Sequence, residues 1–216
     1  MLHYSTTFFQ KHVICSKQLK QMKGFCIFYG TKYDYSIVVD LTREFKKSGV
    51  SLRCIHIKDF TKIKEHWHKL RFFDESFTGK DDIIVIDIDQ TVVGDISDMI
   101  NYPVGDNELI TYKNWWDKNP NCPINGGWYK FKSGSLQYVW DKFNSNIDYY
   151  QNYYFNNSIV HYRYYGEQNF VYDTVIENGG KVTTMPEKWI SKYMMDEYKD
   201  DIKIIHSLGI KKDDRN

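Results

Sequence analysis

Two carboxylates two residues apart, Asp87 and Asp89, close the apolar run Ile83-Ile84-Val85-Ile86 and lead into Gln90-Thr91-Val92-Val93-Gly94-Asp95-Ile96. On an extended backbone, residues i and i+2 point to the same side, so both carboxylates can address one ion. In open α/β sheets ligands sit beyond the carboxyl ends of the strands, which is where this run stops. Oxygen ligands of this kind suit Mg²⁺ or Mn²⁺, hard cations usually completed by water and by the phosphates of a substrate. The chemistry implied lies on or around a phosphate.

The elements that must hold this pair in place read as an alternation. Residues 25–29 form an expected strand ended by Gly30, residues 34–48 a helix through Ile37, Val38, Leu41 and Phe45, and residues 52–57 a second strand. A second helix is expected over 60–77 through Ile63, Trp67, Leu70 and Phe73, and a third strand over 83–87. Strand, helix, strand, helix, strand is a Rossmann-like half with a parallel sheet. Beyond it we expect a short helix over 95–101, strands over 109–112 and 128–131, a loop over 113–124 and helices over 134–147 and 167–178. Short strands follow near Val182 and over 202–205, with an irregular or helical lead-in over 1–23 and a charged tail over 211–216. No repeat or linker divides the 216 residues, and that length supports one core better than two.

Asp87-x-Asp89-x-Thr91 resembles the first motif of the haloacid-dehalogenase-like phosphatases, in which Asp87 would be a nucleophile and Asp89 an acid/base. That family carries the motif near the start of its domain, with glycine where Gln90 stands; here two strand–helix units precede it. A second resemblance covers more of the chain. Lys69-Leu70-Arg71-Phe72 leading through Asp82 to Asp89 and Gly94-Asp95, then Ile124-Asn125-Gly126-Gly127-Trp128-Tyr129, Gly166-Glu167-Gln168-Asn169-Phe170 and His206-x-x-Gly209-x-x-Lys212 occur in one order. This series resembles the glycogenin and lipopolysaccharide-galactosyltransferase family of retaining GT-A glycosyltransferases, small viral members included. It departs from that family in lacking Pro-Trp after Lys212, in Glu167 for aspartate, and in a second glycine, Gly127, after Asn125-Gly126.

The resemblance implies an α/β fold: a single-domain, Rossmann-like GT-A mixed sheet flanked by helices. Residues 25–100 would form the nucleotide-binding half and residues 101–212 the donor-sugar and acceptor half. It implies a transferase using a nucleotide-sugar donor, UDP-linked, with Mn²⁺ or Mg²⁺ and with retention; the acceptor is a glycan, a protein or a small molecule. By resemblance Asp87, Asp89 and His206 hold the metal, and Lys212, with Gly209 letting the backbone come close, meets the phosphates. Lys69 contacts the donor, Tyr29, Thr31 and Tyr33 border the base, and Ile88 lies between the two aspartates on the donor side. Asn125 and Glu167 would bind donor-sugar hydroxyls and Gln168 would sit near the anomeric carbon. If the enzyme inverts, a carboxylate base is needed, and Glu167 or Asp173 are the candidates. Trp115, Trp116, Trp128 and the tyrosines of 149–165 are candidates for an acceptor platform, with core packing as the plain alternative. His66 and His68 fall on different helix faces and are no metal pair. Two rivals remain at this point: the phosphatase, and a catalytically silent sugar-nucleotide-binding domain.

Composition narrows the surroundings. Lys+Arg 29 against Asp+Glu 28 leaves a net charge of +1, so no global field recruits nucleic acid or an anionic membrane. The four cysteines form no Cys-x-x-Cys pair and read as reduced thiols in a cytoplasmic setting. No signal-peptide core is expected in the first twenty residues, and no apolar run is long enough to span a bilayer. The chain contains no alanine and 18 tyrosines, a bias expected of an AT-rich genome such as that of a parasite or a large DNA virus, which would place it in a host cytoplasm. Composition leaves the oligomeric state open.

Overall fold

The computed structural model describes residues 22–30, 33–58, 61–114, 122–156, 166–192 and 201–206. Strands β1 (Met22–Tyr29), β2 (Ser51–Ile57) and β3 (Asp82–Asp87) are parallel neighbours in the order β2-β1-β3. Helix α1 (Tyr35–Lys47) crosses over between the first two, capped by Asp34, whose carboxylate accepts from the Ser36 amide. After β3 come β4 (Gln90–Val92), the short helix α3 (Ser97–Ile100), β5 (Glu108–Lys113) and β6 (Ile124–Lys132). Helices α4 (Gln137–Ser145), α5 (Ile147–Asn156) and α6 (Glu167–Glu177) follow, then β7 (Lys181–Thr184), β8 (Ile190–Lys192) and β9 (Ile204–His206). The main sheet has six strands in the order β2-β1-β3-β6-β5-β7; β6 runs antiparallel to both β3 and β5, and β7 is parallel to β5. A second sheet is β4-β9-β8.

The sheet separates two apolar layers, and β3 shows why. Its residues are buried on both faces: Ile83 and Val85 pack with Trp67, Phe73, Phe131, Phe143 and Phe170, while Ile84 and Ile86 pack with Phe45, Trp128, Tyr112 and Ile204. A strand covered on both sides reads as an unbroken apolar run, which is the pattern of residues 83–86. The run ends where the strand leaves both layers, and the carboxylates begin there.

The expected helix over 60–77 is not one helix. Glu65–Phe73 is a 3₁₀ segment, entered through Glu65 in the left-handed region (φ 32°), and Asp74 then caps the short helix α2 (Glu75–Thr78) by accepting from the Ser76 amide and hydroxyl. Trp67, His68, Lys69 and Leu70 are all buried in succession, which the single apolar stripe of a surface α-helix does not allow. The helix expected over 134–147 ends at Ser145, and Asn146 accepts from the amides of Tyr149 and Tyr150 as α5 begins, a helix the tyrosine-rich sequence did not suggest. Strands β4 and β8, three residues each, were likewise not expected.

Gly94 fixes how closely the two halves of the chain approach in the small sheet. The amides of Val93 and Gly94 both donate to the Lys203 carbonyl, and a Cβ at Gly94 would lie 2.7 Å from the Ile202 carbonyl oxygen. Backbone cannot swing aside as a flexible side chain can. Gly94→Ala is therefore expected to cost about 1–3 kcal/mol by overpacking, measured by chemical denaturation; an unchanged midpoint would contradict the close approach.

Candidate functional site

Asp87 is the last residue of β3, in register with Ile27 of β1, and Asp89 follows in the turn into β4. Beyond the carboxyl ends of β1, β2 and β3 lies a cavity of about 570 Å³. Ile27, Phe28, Tyr29, Gly30, Tyr33 and Ile57 form a largely apolar wall; Glu65 and His66 line it too, as do Asp87, Ile88 and Asp89. The expected base-binding residues Tyr29 and Tyr33, together with Ile88, are thus brought to one cavity with the acidic pair. Ile88 is itself buried in the layer with Trp128.

Lys69 joins this cavity to the second half of the chain. Its side chain is only 3% exposed, and its ammonium lies 3.0 Å from Asp87 Oδ1 and 3.3 Å from Glu167 Oε2. It also donates to the Gly126 carbonyl (3.0 Å) and stands 5.4 Å from the centre of the Tyr129 ring. Burial by itself would lower the Lys69 pKa, but the Asp87 and Glu167 carboxylates outweigh it and hold the group above the ordinary lysine range. Glu167 is pushed upward by its own burial, with Lys69 pulling the other way, and accepts a hydrogen bond from the Tyr129 hydroxyl at 2.8 Å. We take the pair as ionised in contact, since a neutral Glu167 would leave the buried ammonium with half its compensation.

The small sheet delivers the distal histidine. Gln90 of β4 and His206 of β9 are directly opposed, so their side chains share a face. The Gln90 amide nitrogen contacts His206 Nδ1, and the same ring nitrogen lies 4.0 Å from Asp89 Oδ1. His206 is thus brought beside Asp89, which lines the cavity together with Asp87. Among the described residues no group of three or more His, Cys, Asp or Glu side chains is already arranged as a metal cage. A hard cation fits the arrangement in another way: Asp89 Oδ1 is buried without a hydrogen-bond partner, and Mg²⁺-type sites typically use one or two carboxylates and take remaining ligands from water and substrate phosphates.

The remaining expected residues are not among those lining the cavity, and of them Glu167 is in contact with Lys69. Asn125 Oδ1 accepts from the Gly127 amide (2.9 Å), Gln168 Oε1 accepts from the Gly126 amide (3.1 Å), and Glu167 is committed to Lys69 and Tyr129. Asp173 accepts from the Tyr154 hydroxyl at 2.9 Å. Trp128 is fully buried, so of the two readings given to it core packing holds. Thr31, Gly209, Lys212, Trp115 and Trp116 lie outside the described residues. Sequence reasoning missed Gln90 and Tyr129 as members of the site, and Glu65 and His66 as lining residues. Only the pairing of β4 with β9 and the inward turn of Lys69 bring the first two in.

Removing the ammonium should expose how much depends on it. Lys69→Met leaves Glu167 and Asp87 without their cation, and breaking a buried pair in this way typically costs about 3–5 kcal/mol. Denaturant unfolding is expected to show that loss, partly recovered by adding Glu167→Gln. A loss below about 1 kcal/mol would mean the pair is not buried as described.

No family model and no curated protein matches this sequence. Solved structures do match in three dimensions. A glycosyltransferase involved in the glycosylation of the major capsid of PBCV-1 shares 15% identity over 86% of this chain and 93% of its own, with a TM-score of 0.63. The glycosyltransferase GlyE of Streptococcus pneumoniae TIGR4 shares 12% over 90% of this chain and 56% of its own, TM-score 0.56. The galactosyltransferase LgtC, solved in complex with donor and acceptor sugar analogs, shares 11% over 86% of each chain, TM-score 0.52. At such identities the likeness speaks for architecture, and the architecture that this chain shares with all three is the GT-A glycosyltransferase fold.

Proposed function

We propose that the chain is a metal-dependent glycosyltransferase that takes a sugar from a nucleotide-diphosphate donor, UDP-linked, and transfers it with retention to a glycan, protein or small-molecule acceptor. The observation that carries this reading is the placement of Asp87 and Asp89 in a cavity whose other wall is apolar and aromatic. A planar base suits that wall, and the diphosphate then meets two carboxylates. Like charges in a desolvated cleft repel strongly, so the donor can seat only with a cation between. When bound, Mn²⁺ or Mg²⁺ supplies Lewis-acid stabilisation of the departing nucleoside diphosphate. Neighbours named as glycosyltransferases support the class of reaction. The GT-A fold sets the phosphatase reading aside.

Within this reading each side chain has a physical task. Lys69 fixes one oxygen of Asp87, leaving the other oxygen and Asp89 for the cation. Tyr33 and Tyr29 pack against the base and ribose, with Gly30 at the strand end beside them, and Thr31 is assigned to the same contact. The backbone at Ile88 passes close to the ribose. Gly126, which accepts from Lys69 and donates to Gln168, places Asn125 and Gln168 near the donor sugar and its anomeric carbon. Glu167 acts as the counter-charge that orients Lys69 rather than as a base. That commitment, and the Tyr154 hydrogen bond on Asp173, support retention, in which the leaving phosphate takes the acceptor proton. Gly209 and Lys212 would close the phosphate end, following His206. Three described cysteines are unbridged and no described helix is long and apolar enough to cross a membrane; we place the activity in the cytoplasm, that of a host if the chain is viral.

Calorimetry with UDP tests the reading. Wild-type protein is expected to bind UDP at least tenfold more tightly with Mn²⁺ than with EDTA, and Asp89→Ala to lose that difference while keeping its thermal midpoint within a few degrees. Metal-independent UDP binding, or an Asp89→Ala protein that keeps the Mn²⁺ effect, would contradict the proposal. Tight donor binding with no sugar released from any UDP-sugar would leave a silent binding domain.

Beryllofluoride provides the second check. Asp87 is expected to form no adduct, because Lys69 holds one oxygen and the cation claims the other. A stable adduct at Asp87 would make it a nucleophile and favour the phosphatase reading over the transferase.

A further inference from the structure

Gln90 carries chemistry that no other part of the site explains. It is 2% exposed, its Oε1 is buried with no hydrogen-bond partner, and its amide nitrogen lies against His206 Nδ1. Asp89 Oδ1, the other orphaned oxygen of this neighbourhood, lies 4.0 Å from the same ring nitrogen. The Gln90 amide and one orphaned carboxylate oxygen therefore adjoin the same histidine nitrogen. An orphaned buried acceptor costs about 1–3 kcal/mol, and a cation beside the imidazole nitrogen would satisfy Asp89 Oδ1.

An amide can present oxygen or nitrogen to the same neighbour with almost no change of shape. Turning the Gln90 amide about its last torsion puts Oε1 where the nitrogen now meets His206 Nδ1. We propose that Gln90, in this turned orientation, is a further ligand of the divalent cation, completing with Asp89 and His206 a face of three protein atoms, with Asp87 beside it. An amide oxygen is a hard neutral donor of the kind that Mg²⁺ and Mn²⁺ accept. The inference rests on the metal-dependent reading above and deepens it.

The room for this side chain comes from a glycine. A Cβ at Gly127 would stand 2.7 Å from the Gln90 amide nitrogen and 2.9 Å from Asn125 Oδ1. Gly127 is the second glycine after Asn125, and Gln90 follows directly on the acidic pair. The two positions touch, so the bulky polar side chain and the missing one belong to a single adjustment. The strand pairing does the rest, because β4 and β9 set Gln90 opposite His206 with no intervening element.

Mn²⁺ titrations in saturating UDP, followed by the electron paramagnetic resonance of free Mn²⁺, test the inference without reference to turnover. Gln90→Met is expected to weaken Mn²⁺ about tenfold or more, within the range that loss of a supporting group at a metal site produces, with UDP affinity in EDTA unchanged. Gln90→Glu adds charge at the same atom and is expected to bind Mn²⁺ severalfold more tightly than wild type. Its metal-free thermal midpoint should fall and recover on adding Mn²⁺. Equal or tighter Mn²⁺ binding by folded Gln90→Met, or weaker binding by Gln90→Glu, would overturn the role of Gln90 while leaving the wild-type metal dependence intact. Wild-type protein with no Mn²⁺-dependent UDP binding would overturn the functional reading, and this inference with it.

Discussion

The ammonium of Lys69 lies where four elements meet, and the site depends on its staying charged. The 3₁₀ segment supplies the lysine, β3 supplies Asp87, α6 supplies Glu167, and β6 supplies the Gly126 carbonyl and the Tyr129 ring. A lone buried ammonium would cost several kcal/mol to desolvate, and a lone Glu167 a comparable amount. Together they are tolerable only in this geometry. The same contact places β6 and α6, which carry Asn125 and Gln168, against the end of β3. The first half of the chain, with Lys69 and Asp87, and the second, with Glu167, are joined by an ion pair as well as by apolar packing.

A second constraint works from the far end of the chain. Three-residue strands have little stability alone, yet β4 and β9 hold their register because Ile204 of β9 is buried in the layer beneath the main sheet and Gly94 admits the backbone of Ile202. Cross-strand pairing then converts a turn after the acidic pair into a site that includes a residue remote in sequence. In the proposed reading, the cradle for a cation is assembled from pieces that are individually ordinary: a strand end, a turn, and a short returning strand.

The acidic pair was legible because a strand covered on both faces leaves a continuous apolar trace, and Asp87 interrupts it at the position where function is placed in parallel sheets. His206 was legible only through its spacing to Gly209 and Lys212, and the structure brings it to Asp89 by a route, β4 to β9, that no periodicity announces. Lys69 was expected on a helix in contact with the donor; its full burial had no signal there, since it is enforced by carboxylates far along the chain and not by its neighbours in sequence. The same cause replaced an expected α-helix by a 3₁₀ segment with four successive buried residues. Glu167 was expected to face a sugar hydroxyl; its place beside Lys69 follows from tertiary charge pairing, which a single sequence does not reveal. Gln90 carried no signal, because its significance lies in two contacts, with His206 and with Gly127, both across strands.

In the proposed function, the acidic pair holds a donor diphosphate through a divalent cation. Anomalous diffraction at the manganese edge, from crystals grown with Mn²⁺ and UDP, addresses it most directly. The account predicts one strong peak at about 2.0–2.3 Å from carboxylate oxygens of the Asp87 and Asp89 pair, within the usual range for hard cations on oxygen, with the uracil in the cavity bordered by Tyr29 and Tyr33. UDP bound in that cavity with no peak at the aspartates, or a manganese peak away from both of them, would contradict it.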